Sequence, residues 1–179
     1  MAIEQIRAEH SLVEDRILLL LRTSGLEEYK LWLTRRVTLF LLAATEHLIG
    51  HSLSKKFEQD TAKAISSFQK DSAKQETDFN AAYTGGTQFP IGDIPKLVKD
   101  MRCSVVEIEG QMLIKLDIEF EGEKNITITL PDKSMRQMCL LVENISRNAQ
   151  WLAQEQSATT NPGDQASPEV SNQTAKKLH

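Results

Sequence analysis

Two adjacent arginines, Arg35 and Arg36, are the residues whose type and position point most directly to a binding chemistry. Thr34 can cap a helix, which places both arginines in the first helical turn, where cations oppose the helix macrodipole. Free backbone N–H groups at a helix start, together with two guanidinium groups, suit a carboxylate or a phosphate. Lys30 and Trp32 share one face of the preceding predicted strand. We therefore predict a basic patch made of Lys30, Trp32, Arg35 and Arg36.

The two arginines also have a purely structural interpretation. Glu27 and Glu28 lie close to them in the sequence, and surface ion pairs of this kind are common and contribute little to stability. In that interpretation, the arginines only keep one corner of the molecule soluble.

A metal site is the chemistry that His47 and His51 suggest, because they lie one helical turn apart with Glu46 beside the first. Histidines at this spacing can bind zinc, and the motif His-Glu-x-x-His places its glutamate between them. Here Glu46 precedes the first histidine, and no further ligand stands out in the sequence. We therefore predict no metal site and expect histidines at the surface or the edge of the core.

Catalytic motifs with a recognisable pattern are not found in the sequence: it has no Gly-x-Ser-x-Gly, Walker loop or Gly-x-Gly-x-x-Gly. Gly85 and Gly86 fall in a predicted loop, where they indicate flexibility. Asp117 and Glu119 alternate along a strand and are expected to be solvated, without the paired environments that acid–base catalysis needs. We predict a protein that is not an enzyme and has no cofactor; an enzyme with an unfamiliar site is the third hypothesis.

A narrow apolar stripe suggests a contact with another protein. It runs along a predicted helix among lysines and acids, and it comprises Leu53, Phe57, Ile65 and Phe68. With the lack of catalytic motifs and a polar tail that can tether a partner, the stripe favours a non-enzymatic binding or adaptor protein that acts through protein partners. This is the first functional hypothesis.

The elements that must position these residues follow a pattern that occurs twice. Three predicted strands (residues 3–12, 16–22 and 29–33) precede a helix that begins at Arg35, and three more (97–108, 112–120 and 126–130) precede a helix opened by Pro131 and Asp132. A shift of 97 residues places Ile17 on Ile114 and Gly25 on Gly122 without a gap. The register indicates a duplication, although two hairpin–helix units with similar turns would also produce it.

The predicted fold class is therefore α+β. Two antiparallel hairpin or meander units, each followed by a helix (βββα–βββα), pack as an internal pseudo-dimer with an extra helix between them. The predicted segments are a first unit (1–50), an amphipathic helix (51–79), a connector (80–95), a second unit (96–153) and a disordered tail (154–179).

Composition limits the location and the ligands of this protein. The net charge is −4, so attraction to polyanions requires a local basic patch. No apolar run approaches the roughly 20 residues that span a bilayer, and the N-terminus does not resemble a signal peptide. We expect a cytoplasmic protein that does not bind membranes. Cys103 and Cys139 are expected to be reduced thiols of the core, with a disulfide between them left open.

The second functional hypothesis is binding of single-stranded nucleic acid. Repeated strand-rich units that end in a helix resemble, in the order of their elements alone, the Whirly class of single-strand-binding proteins. The resemblance implies a cationic groove with stacking aromatic side chains, which the basic patch could begin. The negative net charge and an aromatic content of 6% oppose this hypothesis.

Overall fold

The computed structural model describes residues 2–77, 82–122 and 124–152, so the predicted tail (154–179) lies outside the described residues. The elements confirm the predicted strands and the two predicted helix starts. In chain order they are β1 (Ile3–Ser11), β2 (Arg16–Thr23), β3 (Glu28–Leu33), α1 (Arg35–Ser54), α2 (Gln59–Glu76), β4 (Lys96–Ile108), β5 (Gln111–Phe120), β6 (Ile126–Pro131) and α3 (Asp132–Asn148).

The strands form one six-stranded mixed sheet in the order β1-β2-β3-β4-β5-β6, which confirms an α+β fold. All neighbours are antiparallel except β3 and β4, which are parallel and joined by only two residue pairs, Leu31 with Lys96 and Trp32 with Leu97. The second meander therefore continues the first side by side and in the same direction. We call the β3–β4 junction the seam.

Alternating side chains give the sheet a core face and an open face. Ile17, Leu19 and Leu21 are almost fully buried on the core face. Leu18 and Leu20, which alternate with them, lie on the open face and are only partly buried. The apolar run of β2, with leucines on both faces, is typical of a strand covered on both sides, but the described helices pack against one face only.

Helix α1 begins as predicted, since the side chain of Thr34 accepts a hydrogen bond from the backbone N–H of Val37 at 3.4 Å. The helix then passes the predicted boundary near Gly50 and ends at Ser54. A glycine inside a helix costs about 1 kcal/mol, which packing of the following turn can offset. Leu53 in that turn packs against the core cluster.

Helix α3 contacts strands at both edges of the sheet. It packs against β1 at one edge and against β5 and β6 at the other, so the sheet curves around it. Helix α1 packs mainly on β4, and α2 lies over α1 and α3. In the described part of the chain, no helix has the length and hydropathy needed to cross a membrane.

Candidate binding surfaces

The structure gives each arginine of the predicted basic patch a partner within the protein. An Nη2 group of Arg35 donates to the carbonyl oxygen of Trp151 at 3.1 Å, and Nη2 of Arg36 donates to the carbonyl oxygen of Lys99 at 2.5 Å. Arg36 also lies 3.7 Å from a carboxylate oxygen of Asp100. The arginines therefore join the start of α1 to β4 and to the chain after α3, rather than pairing with Glu27 or Glu28.

Lys30 and Trp32 lie on the open face of the sheet, as the alternation predicted. Lys30 Nζ lies 3.7 Å from a carboxylate oxygen of Glu28 and 4.6 Å from the ring centre of Phe89. Cation–π contacts of this kind contribute about 0.5–1 kcal/mol when exposed. Lys30 therefore helps to hold the connector that carries Phe89.

A buried carboxylate beside Lys30 was missed by the sequence reasoning. Glu28 is 4% exposed, and its carboxylate accepts hydrogen bonds from the hydroxyl group of Tyr83 at 2.9 Å and the backbone N–H of Gly86 at 3.3 Å. Burial, followed by the hydrogen bond to Glu28, raises the pKa of Tyr83 well above its ordinary value. Glu28 thus anchors the connector to the edge of β3.

Gly86 is a packing position, which corrects its interpretation as a flexible residue. A Cβ atom at this position would lie 2.5 Å from the carbonyl oxygen of Leu26 and 2.7 Å from Cβ of Glu28. Only glycine allows this approach between the connector and β3. The adjacent glycines were the signal in the sequence, because residues without a side chain allow two backbones to approach closely.

Charges on the open face neutralise one another locally. Five cations of β1, β2, β4 and β5 lie within ion-pair distance of an acid: Arg7 with Glu9, Arg16 with Glu14, Arg22 with Glu4, Arg102 with Glu119, and Lys115 with Asp117. A groove for a nucleic acid backbone needs cations in excess. This face has alternating signs instead.

The predicted apolar stripe is divided between two helices and the turn that joins them. Leu53 lies in the last turn of α1 and is partly buried, while Phe57 lies in the turn and is 44% exposed. Ile65 is partly buried in α2, and Phe68, also in α2, is 74% exposed. The break at residues 55–58 means that the four side chains do not form one continuous helical face.

A small apolar cavity of about 140 Å³ lies between the end of α1, α2 and the β4–β5 hairpin. Its apolar lining consists of Leu48, Ile49, Leu53, Val105, Met112, Leu113 and Ile114. Phe57 directly follows the lining residue Lys56. We refer to Leu53, Phe57 and Met112 as the hairpin-end surface.

His47 and His51 are exposed and stack with ring centres 6.2 Å apart. Across residues 2–77, 82–122 and 124–152, no cluster of three or more histidine, cysteine or acidic side chains is arranged to bind a metal ion. Cys103 and Cys139 are free and partly buried. Burial raises the pKa of the Cys103 thiol to about 11 and that of Cys139 to about 12.

Comparisons with protein-family models, curated proteins and solved structures found no significant match to this chain. Its function is therefore argued from the surfaces described above.

Proposed function

We propose that this chain is a non-enzymatic binding protein that acts through a protein partner, which docks at the hairpin-end surface. The observation that carries the proposal is the apolar cavity of about 140 Å³ beside Met112 and Phe57, whose side chains remain 36% and 44% exposed. A cavity of about 150 Å³ with an apolar lining is large enough to hold benzene. The cavity therefore suits one large apolar side chain, which is how interfaces bury their anchor residues.

Charge around the cavity indicates the chemistry of the partner. Lys56 and Arg136 line it, and Lys55 is exposed beside Lys56 in the turn after α1. Asp132, which also lines the cavity, is already bonded to Arg136 at 3.0 Å. Because complementary charge steers association, the proposed partner is a segment with one large apolar anchor flanked by acidic residues.

A duplicated origin of the two βββα units is part of this proposal. The 97-residue register that relates β2 to β5 and α1 to α3 supports it, as does the common direction of both meanders. In this view, the two units pack as an internal pseudo-dimer. The α1–α2 turn borders the β4–β5 hairpin of the other unit, so the docking surface combines residues of both.

Selection of peptides from a random displayed library tests the proposal. We expect the full chain to enrich peptides with Trp, Phe or Leu flanked by Asp or Glu. We expect Met112→Glu to weaken their binding at least tenfold, because it places a buried charge in the anchor site. Leu12→Glu is the matched control, since Leu12 is an 87% exposed residue in the β1–β2 turn. Equal affinity for Met112→Glu and the native chain would contradict the proposal.

Binding of single-stranded nucleic acid is the competing hypothesis, and the paired charges of the open face weigh against it. Fluorescence anisotropy with a labelled single-stranded oligonucleotide at low and moderate salt distinguishes the two. We expect no salt-sensitive binding. Binding that weakens with salt and is lost in Arg36→Glu would favour the basic patch over the hairpin-end surface.

A further inference from the structure

A larger cavity lies among the three helices, on the other side of α2. Its volume is about 560 Å³, within the roughly 300–1,000 Å³ of small-molecule sites. Half of its lining is apolar: Leu39, Leu42, Ala43, Ile49, Cys139, Leu140 and Leu152. The cavity is open to solvent on one side, so a ligand can enter it from the surface.

Helix α2 covers this cavity with little packing of its own. Its fully buried residues are two alanines, Ala62 and Ala73, while Phe68 points outward. The helix contributes Ser66 and Lys70 to the cavity lining. A helix held by small side chains leaves room beneath it for a ligand, which would supply the apolar contacts that the alanines do not make.

Three cations and two acids line the cavity: Lys70, Arg136 and Arg147 with Glu46 and Glu143. Arg136 is paired with Asp132 just outside the lining, whereas Lys70 and Arg147 share one acid. The carboxylate of Glu143 accepts from Nη2 of Arg147 at 2.7 Å and lies 3.7 Å from Nζ of Lys70. Two cations thus already hold one carboxylate at the border of an apolar space, an arrangement that suits a further carboxylate or sulfonate.

We propose that the cavity between α1, α2 and α3 binds a small amphipathic anion. The apolar body of the ligand lies against Leu42, Leu140 and Leu152, and its acidic group contacts Lys70 and Arg147. The two cavities share Ile49 and Arg136, but the residues that hold the proposed ligand are not part of the hairpin-end surface.

A matched series of probes tests the chemical class of the ligand: octanoate, octanol and octylammonium carry the same chain with different head groups. We expect isothermal titration calorimetry to give the tightest binding for octanoate, at least tenfold tighter than for octylammonium. Lys70→Gln should weaken the binding of octanoate and leave the binding of octanol unchanged. Equal binding of the three probes, or no binding of octanoate, would overturn the proposal.

Cavity-filling variants test the location. Ala43→Trp should abolish octanoate binding from the α1 side, and Ser66→Trp should do so from the α2 side. Ala64→Trp is the control, because Ala64 is an exposed residue of α2 outside the cavity lining. If both filled variants bind octanoate as well as Ala64→Trp does, the ligand lies elsewhere and the proposal fails.

A second readout uses the native chain and its two cysteines. Cys139 lines the cavity and Cys103 does not. We expect octanoate to slow alkylation of Cys139 by iodoacetamide at least fivefold and to leave Cys103 unchanged, as followed by peptide mass spectrometry. Protection of both thiols, or of neither, would contradict binding at this site.

Discussion

The indole Nε1–H of Trp151 donates a hydrogen bond to a carboxylate oxygen of Asp15 at 3.1 Å, although 136 residues of chain separate the two. The ring of Trp151 also contacts His10 edge to face, with ring centres 5.5 Å apart. Its carbonyl oxygen accepts the hydrogen bond from Arg35. One residue after α3 therefore joins β1, the β1–β2 turn and the start of α1.

Trp151→Phe should reduce the free energy of unfolding by about 1 kcal/mol, because it removes a hydrogen bond to an exposed carboxylate and keeps an aromatic ring. Trp151→Ala should cost about 3–5 kcal/mol, since it also removes a buried side chain. Urea unfolding measures both. Asp15 has a positive φ of 46°, which glycine tolerates, so Asp15→Gly removes the acceptor and completes a double-mutant cycle. Strict additivity with Trp151→Phe would show that the bond contributes nothing.

Gly86→Ala should destabilise the fold by about 1–3 kcal/mol, because the added Cβ overlaps the backbone of Leu26 and the side chain of Glu28. Gly85→Ala is the matched control. Its Cβ would lie 3.4 Å from the Glu28 carboxylate, an ordinary contact distance. Thermal unfolding of the two variants should separate them clearly. Equal melting temperatures would mean that the connector shifts without cost.

The raised pKa of Tyr83 predicts weaker stability at alkaline pH. A group whose pKa is higher in the folded state than in the unfolded state stabilises below the unfolded value and loses this contribution as pH rises. The free energy of unfolding should therefore fall above about pH 10, where a free tyrosine ionises. The Tyr83→Phe variant should be less stable than the native protein near neutral pH. Its free energy of unfolding should, however, fall less as the pH rises. Parallel pH profiles for the two proteins would refute this role of Tyr83.

The thiol pKa values of about 11 and 12 predict slow alkylation of Cys103 and Cys139 near neutral pH. The thiolate is the reactive species, so each unit of pKa lowers its fraction about tenfold. Relative to the denatured chain, we expect rates lower by about a hundredfold for Cys103 and by more for Cys139. Mass spectrometry after timed iodoacetamide quenches provides the rates. Native rates close to those of the denatured chain would contradict burial of the two thiols.

The sequence was sufficient to predict the strands because their signal is local. Alternation from Met112 to Phe120 and the Pro131-Asp132 helix start depend only on neighbouring residues, and the structure has β5, β6 and α3 at those positions. The break between α1 and α2 was predicted near Gly50 and lies at residues 55–58 instead, because nothing there interrupts the apolar spacing of the predicted stripe.

Contacts between residues that are distant in the sequence could not be predicted. The burial of Glu28 depends on Tyr83, 55 residues away, and Arg36 bonds the backbone of Lys99, 63 residues away. Charged residues near a turn or a helix start are usually solvated, so local chemistry predicted exposure for both; Arg36 is 70% exposed, but Glu28 is buried. Only the sheet order, which brings the connector back across β3, shows where these groups find their partners.

The seam between β3 and β4 has a consequence for how the chain holds its two halves together. Two residue pairs are a weak join for a sheet, but each half places its helix on a strand of the other, α1 on β4 and α3 on β1. Helix packing therefore contributes more to joining the two halves than the backbone hydrogen bonds of the seam do. We expect two fragments cut in the connector to reassemble without a covalent link, because each carries a helix that packs on a strand of the other.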